Sequence, residues 1–138
     1  VENWGEMRLL IDTNVFLEII LDQKKAEQSK TLLENTKDHE FFISDYSLHS
    51  IGLLLFRRKQ HDIFKKFLID MISNAGMKAI GLSADDMQAV INAAREFNLD
   101  FDDAYQYTVS QKHDLTIVSF DSDFEHTERG RKSPQELI

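Results

Sequence analysis

Apolar positions along the chain fall into short runs, each stopped by a polar residue, and these runs alternate with segments of helical period. Leu9-Leu10-Ile11 stops at Asp12-Thr13-Asn14, and Val15-Phe16-Leu17-Glu18-Ile19-Ile20-Leu21 then continues at the apolar density of a buried helix. The pattern predicts a strand, a polar loop and a helix. A more polar helix over 26–33 follows. Phe41-Phe42-Ile43 then forms a second run, stopped by Ser44-Asp45, a pair suited to capping a helix that carries Leu48, Ile51, Leu54 and Leu55. Phe64, Phe67, Leu68, Met71 and Ile72 recur at helical spacing before Asn74-Ala75-Gly76, where the glycine suits a helix C-terminus. Residues 77–82 predict a third strand. Ser83 stands three positions before Asp86, close to a capping box, and Met87, Val90, Ile91 and Ala94 make the apolar face of the next helix. A further helix is predicted over 101–112, and Leu115-Thr116-Ile117-Val118-Ser119-Phe120 predicts a fourth strand ending at Asp121.

Strands alternating with helices imply an α/β protein: a three-layer α/β/α fold whose central parallel sheet has about four to five strands. A single domain is expected over 7–128. Val1 to Glu6 read as an N-terminal extension or expression remnant, and 129–138, with Arg129-Gly130-Arg131-Lys132, as an exposed tail. In such sheets ligands bind beyond the carboxyl ends of the strands, so Asp12 and Asp121 become the first candidates for chemistry.

The composition narrows the classes. With 138 residues and 42% hydrophobic content the chain suits one compact core, and the absence of cysteine excludes disulfides and thiolate metal sites. No apolar run reaches the roughly 20 residues of a membrane span and no basic leader is seen, so a cytoplasmic protein without membrane association is expected. A net charge of −8 argues against a freely basic nucleic-acid-binding surface. It leaves room for a nuclease whose carboxylates are masked by metal.

Asp12 after the first strand, Asp121 and Asp123 after the last, and Asp102-Asp103 at a helix start bring carboxylates from three remote segments toward one end of the sheet. Mg²⁺ or Mn²⁺ takes such oxygen ligands, and metal pairs about 3.5–4 Å apart can stabilise both the attacking and the leaving oxygen of a phosphoryl displacement. Each residue also has a plainer role. Asp12 suits an N-cap, Asp102 a helix cap or dipole partner, and Asp123 a solvated loop; in an extended segment Asp121 and Asp123 would face the same side.

Three segments resemble those of the PIN-domain nucleases, which include the VapC-type toxins of toxin–antitoxin pairs. Leu10-Ile11-Asp12-Thr13-Asn14-Val15 is similar to the family's opening strand and first acid. Asp103-Ala104 is similar to its helix-borne acid, and Val118-Ser119-Phe120-Asp121-Ser122-Asp123-Phe124 to its closing segment. The resemblance implies a metal-dependent endoribonuclease that uses Mg²⁺ or Mn²⁺ and leaves a 5′-phosphate and a 3′-hydroxyl. By position Asp12, Asp103 and Asp121 become metal ligands, and Asp123 an auxiliary ligand or water-orienting base. Asn14 and Ser119 would hold the carboxylates by hydrogen bonds. RNA substrate, an antitoxin protein and a second copy in a homodimer are the expected partners.

One departure from the family stands out. Its usual glutamate, in the helix after the second strand, aligns with Ser50, a poor ligand for a hard dication. His49 lies about 100° round the helix from that position and offers a contact to a substrate phosphate or a proton carrier. Arg57-Arg58-Lys59, Lys65-Lys66 and the basic tail offer phosphate contacts or merely solvated faces. Two alternatives compete. One is a catalytically weakened PIN-like module that binds RNA or protein; the other is an aspartyl-phosphate enzyme or receiver domain. The latter lacks its expected partners, because Asn14 stands where a phosphatase of that kind needs a second aspartate.

Overall fold

Leu9 and Ile11 of strand β1 (Met7–Ile11) pack into one apolar cluster and Leu10 into another. The same alternation places Phe41 and Ile43 of β2 (His39–Ser44) in the first cluster and Phe42 in the second. A strand buried on both faces is the signature of a sheet sandwiched between helices. The computed structural model describes residues 7–138, so the extension read at Val1 to Glu6 lies outside the described residues. With β3 (Lys78–Ile80) and β4 (Thr116–Val118), the strands form a four-stranded, wholly parallel sheet in the order β3-β2-β1-β4.

One layer holds α1 (Thr13–Ile20), α2 (Ala26–Glu34), α3 (Asp45–Arg57) and α4 (His61–Leu68), which supply Val15, Phe16, Leu32, Ile51, Leu55 and Phe67 to the first cluster. The other holds α5 (Met87–Phe97) and α6 (Phe101–His113), with Val90, Ala93, Tyr107 and Val109 in the second. This is the three-layer α/β/α arrangement anticipated above.

The strand order reverses between β1 and β4, and at such a switch point the adjoining loops diverge to leave a crevice. Asp12 leaves β1 and Ser119 leaves β4 at that place. Local chemistry sets the turns around it. Asp12 caps α1 by accepting from Thr13 N, Ser44 caps α3 by accepting from Ser47 N, and Ser83 and Asp86 form a capping box. Gly76 adopts φ +71° where the chain leaves the helical region, a left-handed conformation that favours glycine.

Four details differ from expectation. The third and fourth strands are three residues each: Leu115 N bonds back to Ser110 O at the end of α6, and Ser119 N turns away to Lys132 O. The helix through Met71 continues past α4 as a π-helical segment, Ile69–Asn74. Asp100, rather than Asp102, caps α6, accepting from Asp103 N. The tail read as exposed is instead tied to the sheet. Lys132 bridges in parallel to Val118, Arg131 Nη1 donates to Ser119 O at 2.9 Å, Pro134 is buried, and Leu137 packs on the first cluster. Among the described residues no helix is long and apolar enough to cross a membrane.

Candidate metal centre

Asp12 is buried, and its carboxylate is held by three donors. Thr13 N and Gln106 Nε2 donate to Oδ1, each at 2.9 Å, and Ser119 Oγ donates to Oδ2 at 2.7 Å. Burial pushes its pKa up, the Asp121 charge adds to that, and the bonds from Gln106, Ser119 and Thr13 pull it back. An ionised carboxylate offers about four acceptor positions, so three donors leave one for a cation.

Asn14, one turn into α1, ties the two strand ends together. Its Nδ2 donates to Ser119 Oγ at 3.1 Å, and its Oδ1 accepts from Phe120 N at 3.2 Å. Ser119 Oγ also accepts from Asp121 N at 2.9 Å. Ser119 thus joins the first acid to the segment carrying the last two, whereas Asn14, expected to hold a carboxylate, reaches Asp12 only through Ser119.

Asp121 caps a single 3₁₀ turn, Ser122–Phe124, its Oδ1 accepting from Asp123 N at 2.8 Å. The two acids are therefore gathered by a turn rather than by the extended segment anticipated. Asp103 reaches them from the first turn of α6, whose run from Ala104 to Ser110 is buried and so fixes the helix in place. Carboxylate oxygens of Asp103, Asp121 and Asp123 lie within 4.8 Å of one another. Burial, and then the charges of Asp121, Asp100, Asp12 and Asp123, raise the Asp103 pKa to about 7.

This donor set fits a hard dication. Oxygens about 2.0–2.1 Å from Mg²⁺ are at most about 4.2 Å apart, so only a small side-chain adjustment closes the cluster on an ion. A bound cation would also offset the burial and the neighbouring negative charges that raise the Asp103 pKa.

The structure separates the remaining candidates. Ser50 lies on α3 one turn beyond Ser47, which faces the site through Thr13 Oγ1 and Gln106 Nε2, both 2.8 Å from Ser47 Oγ. No carboxylate of α3 joins the acid cluster. His49 is exposed and lines a shallow groove with Leu48, Gly52, Leu53 and Phe56; among the described residues no hydrogen bond ties it to the acids. Of the basic residues, Arg129 pairs with Asp114, Arg131 with Glu125, and Lys66 with Asp70, whereas Arg57, Arg58, Lys59 and Lys65 are exposed on the α3–α4 side without ion pairs among the described residues.

Two contributors escaped the sequence reading. Gln106, buried, bonds Asp12 and Ser47 at once while its Oε1 finds no partner among the described residues. Tyr46 has its hydroxyl beside Ser50 and Asp102, and burial raises its pKa. The available signal for Gln106 was its spacing, three residues after Asp103 and hence on the same helix face.

Comparison with known proteins gives this geometry its setting. Solved structures of similar fold include a toxin–antitoxin complex from Klebsiella pneumoniae, with TM-score 0.72 and 17% identity over 91% of this chain and 97% of that one. VapC20 of Mycobacterium tuberculosis, described as a sarcin–ricin loop cleaving toxin, gives TM-score 0.70 and 21% identity over 88% and 95%. VapBC2 of Rickettsia felis, bound to a DNA fragment from its promoter, gives TM-score 0.75 and 16% identity over 92% and 98%. No curated protein matches the chain by sequence. The sequence profile of the PIN domain matches residues 9–130, which include all four acids and both supporting polar residues. The chain therefore belongs to the PIN domain family.

Proposed function

We propose that this PIN domain is a divalent-metal-dependent endoribonuclease acting as the toxin of a toxin–antitoxin pair. The observation that carries the reading is the meeting of Asp103, Asp121 and Asp123 from two remote segments, with Asp12 joined to them through Ser119. Asp12, Asp103 and Asp121 would hold Mg²⁺ or Mn²⁺, with Asp123 as a further ligand or as the group that orients water. Bound there, the cation supplies charge stabilisation for the phosphodiester and lowers the pKa of a water. The protein's own part is orientation. Gln106, Thr13 and Ser119 fix the Asp12 carboxylate in place, their bonds partly offsetting the burial that raises its pKa, and the 3₁₀ turn holds Asp121 against Asp123. Cytoplasmic location, an antitoxin partner and a homodimer belong to the same reading. Supporting the partners are the toxin–antitoxin neighbours and the exposed apolar side chains Leu53, Phe56 and Ile63 of α3 and α4.

Cleavage of a single-stranded RNA is expected in Mn²⁺ and Mg²⁺, lost in EDTA, and reduced at least about 100-fold by Asp121→Asn, which removes a ligand charge. Activity that survives both treatments contradicts the proposal. Ser50 favours a second reading, a weakened module that binds RNA without efficient cleavage. Calorimetric titration of Ser50→Glu distinguishes them. A gain in Mn²⁺ affinity together with a gain in turnover marks the present site as weakened, and no gain in either marks it as complete without that carboxylate.

A further inference from the structure

Beside the acids, the loop between α1 and α2 builds a second feature of opposite character. It folds back on α1: Gln23 N donates to Glu18 O at 2.8 Å, and Lys25 N donates to Glu18 Oε1 at 2.7 Å. Asp22 takes φ 51° in the turn. The result is an open pocket of about 350 Å³ lined by Asn14, Glu18, Gln23, Lys24, Lys25 and Phe120.

Two of these residues belong to the acid site. Asn14 bonds Ser119, which bonds Asp12, and Phe120 lies between Ser119 and Asp121 with its own N–H on Asn14. The pocket and the carboxylates therefore share a wall. Lys24 and Lys25 also line the pocket, both exposed and neither in an ion pair among the described residues, on a chain whose net charge is −8. The Lys25 ammonium rests 4.7 Å from the centroid of the Phe120 ring. Glu18 brings the one carboxylate, and its Oε1 is engaged by the backbone of the same loop.

We propose that this pocket is a nucleotide subsite for single-stranded RNA, in which Phe120 stacks on the base next to the scissile phosphate and Lys24 and Lys25 hold the phosphate that follows. The proposal rests on the nuclease reading for its place along the substrate, though not for the binding chemistry itself. An aromatic face beside mobile cations is the recurrent design for unpaired nucleotides, because every base offers a π-face and every residue of the strand a phosphate. At the lower end of the usual pocket range of about 300–1,000 Å³, the volume suits one nucleotide. An exposed cation–π contact is weak, so the flexible Lys25 stem can give up the ring to a base and carry its ammonium to phosphate. A paired base keeps its faces stacked inside the duplex and cannot use the ring. The subsite therefore selects unpaired RNA at the point where the acids act.

The test is fluorescence anisotropy of a labelled 12-nucleotide single-stranded RNA of mixed sequence, and of its duplex, at several salt concentrations in EDTA, so that binding is read without cleavage. Lys24→Ala/Lys25→Ala is expected to weaken single-strand binding by about tenfold and to flatten its salt dependence by one to two counterions. Phe120→Leu keeps apolar volume against the core but loses the ring. It is expected to bind single strands about fivefold more weakly with its salt slope intact, and to lose the preference for single strand over duplex. Unchanged melting temperatures show that both variants are folded. Wild-type binding by both variants, or no single-strand binding by the wild type, overturns the proposal. Cleavage assays of the same proteins keep the two readings apart. A wild type that binds through these residues but never cleaves defeats the nuclease reading alone, and one that cleaves equally well with all three residues changed defeats the subsite alone.

Discussion

Asp103 occupies a position where its negative charge is disfavoured. Half-buried and facing Asp121, Asp100, Asp12 and Asp123, it has its pKa raised to about 7, so at neutral pH about half of it would carry a proton for a bound dication to displace. Apparent Mn²⁺ affinity is therefore expected to fall by about tenfold per pH unit below about 7 and to level off above it, with about one proton released per binding event below that pH and none well above it. Calorimetry in buffers of different ionisation enthalpy measures both. The same shift affects folding of the metal-free protein. Between the unfolded value near 3.8 and the folded value near 7 the native state holds more protons than the unfolded chain, so stability is greatest at the acid end and declines as pH rises through that window. Asp103→Asn should then raise the metal-free melting temperature by a few degrees at pH 8, on the order of 1 kcal/mol after discounting for solvent screening, and by nothing near pH 3.5. An equal effect at both pH values would show that charge repulsion is not its cause. The sequence marks Asp12, Asp121 and Asp123 as candidates because polar residues that follow the strands of a parallel sheet border its ligand crevice, and Asp103 rather than Asp102 through the resemblance to the PIN-domain nucleases. It gives no sign of Gln106, whose role depends on a buried contact across three elements.

Helix starts show how caps and chemistry share atoms. Ser44 caps α3 through Ser47 N at 3.0 Å, and Ser47 in turn meets Thr13 and Gln106, which hold Asp12. Because Ser44 is fully buried, no water replaces its oxygen when it is removed. Ser44→Ala is expected to cost about 1–2 kcal/mol in chemical denaturation, with partial recovery in Ser44→Thr. A loss under a few tenths of a kcal/mol would mean that α3 needs no cap. Element types were legible because apolar period and punctuation agree: Ser44, the Ser83–Asp86 box and Gly76 all sit where the pattern placed them. Strand lengths were not, since Leu115 and Ser119 are apolar or β-compatible residues whose backbone groups are claimed by Ser110 and Lys132. Competition for a hydrogen bond leaves no trace in local pattern.

At the scale of the whole molecule, the C-terminal segment decides how firmly the site is held. Lys132 N donates to Ile117 O and Lys132 O accepts from Ser119 N, so residues beyond Gly130 fasten the end of β4, from which Ser119, Asp121 and Asp123 depart. Arg131 adds a bond to Ser119 O and an ion pair with Glu125 at 2.6 Å. Truncation after Gly130 is expected to lower the melting temperature by several degrees and to weaken Mn²⁺ binding, since a ligand loop freed from its supporting bonds commonly loses about 10–100-fold in affinity. A truncated chain that binds Mn²⁺ like the full one would show that the segment only covers the sheet.

From the sequence alone came the order of strands and helices, the parallel three-layer class, and the four acids with Asn14 and Ser119 beside them. The elements, the fold class and the candidacy of Asp12, Asp121 and Asp123 rest on local rules, namely hydrophobic period, capping and the place of polar residues after strands, whereas Asp103 over Asp102 and the roles of Asn14 and Ser119 rest on the resemblance to the PIN-domain nucleases. Tertiary structure decided the rest. Close approach of Asp103 to Asp121 and Asp123, the bond from Gln106 to Asp12, the removal of His49 to an exposed groove and the docking of the tail all join residues far apart in the chain. The physical reason is that a carboxylate's environment is set by whichever elements packing brings against it. Burial and through-space charge depend on that assembly, and a one-dimensional pattern records neither.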